Sequence, residues 1–207
     1  MQKIMFDDQH RLTEAVLEGR KTQTRRICKY SRPDESYDIV FPIFEPKDYD
    51  DEGNNTSALN YAFGWGNDEG MFTGWNKPYY KVGEIVAIAQ SYADIGIEPF
   101  PFCEAGWRNK MRVKADLMPH QIKITNIRIQ RLQDISEEDC LAEGIITKWH
   151  APCSIRYYYI IDPEDGTRYD VYSSAREAYA ALIDKVSGKG TWESNPWVFV
   201  YEFELIK

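Results

Sequence analysis

No apolar run in this 207-residue chain approaches the roughly 20 residues needed to cross a bilayer. The first ten residues also lack the basic-then-apolar layout of a secretory signal. A cytoplasmic protein with no membrane partner is expected. Cysteine is sparse. Cys28, Cys103, Cys140 and Cys153 form no C-x-x-C pair, and their spacings resemble no zinc module. Free thiols are the expectation in that setting, not disulfides. Histidine is scarcer still: His10, His120 and His150 are scattered, and His150-x-x-Cys153 has no further ligands in register, so neither metal nor cofactor is expected. Gly64-Trp65-Gly66 lacks the strand–turn–helix setting of a phosphate loop. Positive charge is in deficit as well. With 25 Lys and Arg against 33 Asp and Glu, the net charge is −8, which argues against an unspecific polyanion binder.

That deficit is reversed in one place. Between Gly19 and Pro33 stand Arg20, Lys21, Arg25, Arg26, Lys29 and Arg32, with no acidic residue among them. A local basic patch on an acidic chain suits a small anionic or polar ligand in a defined site.

The remaining pattern reads as one α+β domain. Residues 13–18 form a short helix with Leu12, Ala15 and Val16 on one face, stopped by Gly19. Residues 22–27 follow as a strand. The stretch at about 44–78 is rich in Asp, Glu, Asn and Gly and shows neither helical nor strand period. It reads as a long insertion partly ordered by Trp65, Phe72 and Trp75. Residues 84–92 are a near-continuous apolar strand, buried on both faces as in a small closed barrel. In 121–132, Ile122 and Ile124 alternate on one parity and Ile127 and Ile129 on the other, which predicts a bulge near Thr125-Asn126. Residues 136–144 and 174–186 are helices, each opened by a capping-box pattern, Ser136 with Asp139 and Ser174 with Glu177. The second carries a buried stripe of Ala175, Ala178, Leu182 and Val186. Residues 197–206 form the last strand, alternating on its C-terminal half. Strands mixed with a few helices, without a βαβ rhythm, give an α+β fold with a small barrel, flanking helices and long loop insertions.

Three places carry candidate chemistry. In an extended segment Thr24 and Arg26 share a face, and Lys21 can reach over it. A Thr hydroxyl needs a neighbouring base to act as a nucleophile, and a partly buried Lys beside other cations can serve. The alternative is a solvated basic strand. Glu143 is the second. It sits in the last turn of its helix, where a carboxylate faces the negative end of the dipole at a cost of roughly 0.3–1 kcal/mol. Such an exception suits a general acid; an exposed Glu on a frayed end is the competing reading. The third is the run 191–197, where Trp192 and Trp197 flank Asn195. These residues either stack on and read a base or plug the end of the barrel.

Gly19-x-Lys21-x-x-Thr24-x-Arg26 resembles the signature of the ASCH domain family, a branch of the PUA-like β-barrels. Lys81-Val82-Gly83-Glu84 with its apolar strand, the run Arg131 to Gly144, and Asn195 to Phe203 resemble further blocks of the family, in family order; the last matches a phage and bacterial subgroup. The stretches at about 31–80, 98–118 and 147–170 resemble nothing in it. The resemblance implies a PUA-like barrel and a pocket for a modified nucleoside or RNA. One branch consists of amidohydrolases that remove the acetyl group from N4-acetylcytidine with a Thr nucleophile, a Lys base and a Glu acid. By motif these fall on Thr24, Lys21 and Glu143. Other members are thought to bind RNA without catalysis, so a hydrolase and a non-catalytic RNA-binding module both stay open. Gly19, Arg20, Arg25, Arg26, Ser91, Trp192 and Asn195 are the expected ligand contacts, with no cofactor.

Overall fold

The computed structural model describes residues 1–96, 105–161 and 169–206. In chain order its elements are strand β1 (Gln2–Ile4), helix α1 (Leu12–Leu17), β2 (Gln23–Ile27), β3 (Asp38–Val40), β4 (Gly64–Gly66), β5 (Ile85–Ile88), β6 (Gln121–Arg131), α2 (Glu137–Ala142), β7 (Ile146–His150), β8 (Ile155–Ile161), β9 (Tyr169–Tyr172), α3 (Ala175–Ser187), α4 (Thr191–Ser194) and β10 (Trp197–Leu205). The architecture is mixed α+β. Five strands form the main sheet in the order β1-β5-β6-β10-β2, with β1 parallel to β5 and the other pairs antiparallel. Strands β7, β8 and β9 make a separate sheet, and β3 pairs with β4.

Among the described residues the main sheet stays open, with β1 and β2 at its edges, and no closed barrel forms. The burial of β5 on both faces has another cause. Val86 and Ile88 join the main core, whereas Ala87 and Ala89 pack with Tyr92, Val113 and Met118 in a second cluster. Two cores on opposite faces bury a strand as completely as a barrel does.

The bulge lies where the isoleucine parity changes. Glu202 pairs with Asn126 and Phe203 with Ile124, so Thr125 is the additional residue. It lets Ile122, Ile124 and Ile127 all reach the core, at 0%, 0% and 3% exposure. The segment around 44–78 is tied to that core. Phe63 is fully buried and its ring lies 5.9 Å from Trp65, 5.6 Å from Trp197 and 6.0 Å from Phe199. Gly64 lets the Phe72 ring close on the β4 backbone, since a Cβ there would stand 2.4 Å from it.

Ser136 and Ser174 accept the backbone N–H of Asp139 and Glu177, as expected. Neither box closes: the Asp139 carboxylate turns to Arg25 and Arg128, and Glu177 accepts the N–H and hydroxyl of Ser173 instead. The stripe of α3 differs. Ala175, Ala178 and Leu182 are buried, but Tyr179 and Ile183 complete the buried face and Val186 is 43% exposed. The last turn of α3 lies at the rim of a cleft, so Val186 borders open space instead of core. Leu205, at the end of the closing strand, is also exposed. No helix among the described residues is long and apolar enough to cross a membrane. Cys28 and Cys140 are free thiols that burial pushes up to about 12, too high for a nucleophile at neutral pH. Cys103 and the side chain of Cys153 lie outside the described residues.

Candidate functional site

Gly19 ends α1 in the left-handed region, at φ 72°. The chain then folds back so that the N–H groups of Arg20 and Lys21 both donate to the Ala15 carbonyl at 2.9 Å. This reversal brings Lys21 and Thr22 against the C-terminus of α2. The Thr22 N–H donates to the Ala142 carbonyl, and Lys21 Nζ donates to the Glu143 carbonyl, each at 2.9 Å. Lys21 therefore caps α2 and supplies positive charge at the negative end of its dipole. Gly144 makes the approach possible. Its φ is 103°, and a Cβ there would meet Leu12 at 3.3 Å and the Lys21 Cβ at 3.6 Å.

The misplaced carboxylate is thereby explained. Glu143 is 4% exposed, so it is no frayed surface residue. Its Oε2 accepts from Lys21 Nζ at 2.6 Å and its Oε1 from Arg25 Nη1 at 2.9 Å. Arg25 Nη2 donates to Asp139 at 2.7 Å, and Arg128 reaches the same carboxylate at 3.3 Å and Glu202 at 2.9 Å. Five charged side chains thus run in alternating sign from Lys21 through Glu143, Arg25 and Asp139 to Arg128, with Glu202 at the far end. Burial lowers the Lys21 pKa from 10.5, against the opposing pull of Glu143. Burial acts the same way on Arg25, but there Glu143, Tyr179 and Asp139 prevail and its pKa is raised. Burial and the neighbouring Glu143 carry the Tyr179 hydroxyl well above its ordinary value.

Lys21, Thr24, Arg25, Arg26 and Glu143 all border one cleft of about 70 Å³, covered by Tyr179, Leu182 and Val186 of α3. β2 is an edge strand, and residues of both its parities reach this cleft. Gln23 and Arg25 turn towards α2, where Gln23 Nε2 donates to the Asp139 carbonyl at 2.8 Å. Arg26 reaches across to the Met5 carbonyl at 2.6 Å, beyond the opposite edge strand β1. Thr24 is 5% exposed, and among the described residues no hydrogen bond engages its hydroxyl.

The other sequence-derived ligand contacts lie elsewhere. Arg20 is exposed and paired with Glu18 at 2.6 Å. The Ser91 hydroxyl donates to Asp94 at 2.6 Å. Trp192 stacks edge-on with Tyr179 and takes the Arg176 guanidinium at 5.0 Å. Asn195 Oδ1 accepts the Gln133 N–H at 2.8 Å, which ties the α4 turn to the end of β6. None of these side chains borders the cleft, nor does Gly19. Asp139 and Tyr179 are the residues that sequence reasoning missed. Asp139 read as a capping residue, and Tyr179 lay one position off the expected stripe. No family model matches this chain, and no curated protein or solved structure matches it either.

Proposed function

We propose that the cleft beside β2 receives the acylated end of a modified nucleoside and hydrolyses its amide, with N4-acetylcytidine as the substrate to test. With this reading goes the assignment of the chain to the ASCH group of PUA-like proteins and the relation of its open sheet to their barrel. The observation that carries it is the meeting of Lys21, Thr24 and Glu143 at one cleft, 122 residues separating the Lys from the Glu, with the Thr24 hydroxyl uncommitted.

In the reaction Thr24 Oγ attacks the acyl carbon while its proton passes to Lys21 Nζ. The developing oxyanion is steadied by the Arg26 guanidinium. Glu143 protonates the departing amine, and water then releases the acyl group from Thr24. The short Lys21–Glu143 contact serves both transfers. One proton moved from ammonium to carboxylate leaves a neutral amine and a carboxylic acid, the base and the acid required. The chain is expected to release cytidine from N4-acetylcytidine, and Thr24→Ala is expected to abolish release with its thermal midpoint unchanged. Absence of turnover across a panel of acylated nucleosides would sink the hydrolase reading.

One observation favours a second reading, non-catalytic recognition of a nucleotide. Lys21 donates twice to Glu143, and an ammonium so held is no base. Tight binding of the acylated nucleoside without turnover, unaffected by Thr24→Ala, would select this reading.

A further inference from the structure

Buried polar groups in folded proteins nearly always have hydrogen-bond partners, because an unpaired one keeps the full cost of leaving water. Two groups at the cleft break that rule. The Tyr179 hydroxyl and the Arg25 Nε–H are buried, and among the described residues neither has a partner. Both residues border the cleft, at 2% and 6% exposure. Arg25 Nη1 and Nη2 are engaged by Glu143 and Asp139, which leaves Nε. The guanidinium carbon stands 5.8 Å from the centre of the Tyr179 ring, so the two unpaired groups are near neighbours without a hydrogen bond between them.

The chemistry of these groups fixes what would complete them. An Arg Nε–H only donates. The Tyr179 hydroxyl keeps its proton, since burial and the neighbouring Glu143 oppose its loss. Two donors side by side call for an acceptor oxygen. Arg25 is already balanced by Glu143 and Asp139, so the place suits the oxygen of a neutral carbonyl better than a free anion. Size narrows the choice. A cavity of about 150 Å³ holds a benzene ring, so a cleft of about 70 Å³ receives an acyl amide and leaves the pyrimidine outside. Met5 and Arg26 border both this cleft and a groove of about 540 Å³, which leaves room for the rest of a nucleoside. Tyr179 does not border that groove; it belongs to the α3 side of the cleft.

We infer that the Tyr179 hydroxyl, with the Arg25 Nε–H beside it, donates to the acyl oxygen of the substrate and holds the charge that gathers there in the reaction. The inference rests on the reading of the cleft given above. Arg26 is then not alone at that oxygen, which matters because its guanidinium also donates to the Met5 carbonyl. Donors fixed in place before the reaction stabilise a tetrahedral oxyanion without reorganising. Tyr179 is so fixed: it is buried, and its ring stands edge-on to Trp192 with centroids 6.2 Å apart. Helix α3 thus contributes a substrate-binding group to a cleft whose other reacting groups come from β2, the turn before it and the end of α2.

A pair of ligands isolates the contact: N4-acetylcytidine and N4-ethylcytidine, in which a methylene replaces the acyl carbonyl. Their affinities are measured on the full chain carrying Thr24→Ala, so that no turnover intervenes, with and without Tyr179→Phe. The acetyl ligand is expected to bind about 10-fold tighter than the ethyl ligand, the scale of a net hydrogen bond. Tyr179→Phe is expected to remove most of that difference and to leave the affinity for the ethyl ligand unchanged. With Thr24 in place, Tyr179→Phe is expected to lower kcat/KM for N4-acetylcytidine about 100-fold. Its thermal midpoint is expected to hold or rise, since the fold loses no partnered group. Equal affinities for the two ligands, or a difference that survives Tyr179→Phe, overturn the inference. A fall in midpoint with both affinities unchanged overturns it as well and assigns the hydroxyl to the fold. In each of these cases the cleft reading stands on its nucleoside binding. Failure of the chain to bind either ligand overturns the two together.

Discussion

Glu143 is balanced by two cations, so removing it and removing Lys21 are unequal perturbations. Glu143→Gln leaves Lys21 and Arg25 facing a neutral amide in a dry site and is expected to destabilise the fold by about 3–5 kcal/mol. Lys21→Met leaves Arg25 on the carboxylate and removes one cap from α2, a loss of about 1–2 kcal/mol. Urea denaturation of the two variants checks the order, and equal losses would show that Arg25 does not balance Glu143. The depressed Lys21 pKa carries a second expectation. The active pair holds one shared proton, so turnover should fall as pH rises through the depressed Lys21 value, below 10.5, and Lys21→Arg should abolish it. The sign for stability follows from the same shift. The unfolded chain holds the Lys21 proton more tightly than the folded one, so between the folded value and 10.5 this residue makes stability increase with pH. Lys21, Thr24 and Glu143 stood out together only through the resemblance to the ASCH signature; spacing left a solvated basic strand as the alternative, and the exception to the dipole rule singled out Glu143 alone. Asp139 was not legible, since the same residue reads as a cap until β2 is known to lie beside α2.

At the scale of elements, periodicity was legible and phase was not. The parity change in β6 called for one additional residue near Thr125-Asn126, and Thr125 is that residue. Deleting Thr125 would turn Ile122 and Ile124 to the wrong face, and the variant is expected to lose its cooperative unfolding transition. Thr125→Ala, at an exposed position, should alter stability by no more than about 0.5 kcal/mol. Thermal melts of the pair test whether the additional residue or its side chain matters. In α3 the stripe of Ala175, Ala178 and Leu182 is compatible with two neighbouring phases. Packing chose the one that buries Tyr179 and Ile183 and leaves Val186 at the rim of the cleft. A helix cannot signal in its own sequence where the surface beneath it ends.

For the molecule as a whole, the segment around 44–78 is fastened to the core by an aromatic cluster. Phe63→Ala removes its centre, and a loss of about 3–5 kcal/mol in a single denaturant transition is expected. Two transitions would instead mark the segment as a separate unit. The sequence by itself determined the α+β class, the order of the main elements, the bulge and the serine caps. These depend on neighbours a few positions away, on period, on glycine and on cap chemistry, and such signals are local. Tertiary structure alone decided that the main sheet is open among the described residues and that β5 is buried by two cores on its opposite faces. It also decided that Glu143 is held by Lys21 and Arg25, and that the cleft opens past Arg26 into a wider groove. These outcomes join residues distant in sequence, more than a hundred positions apart at Glu143, and their energies arise from burial and charge balance, which exist only once the chain has folded.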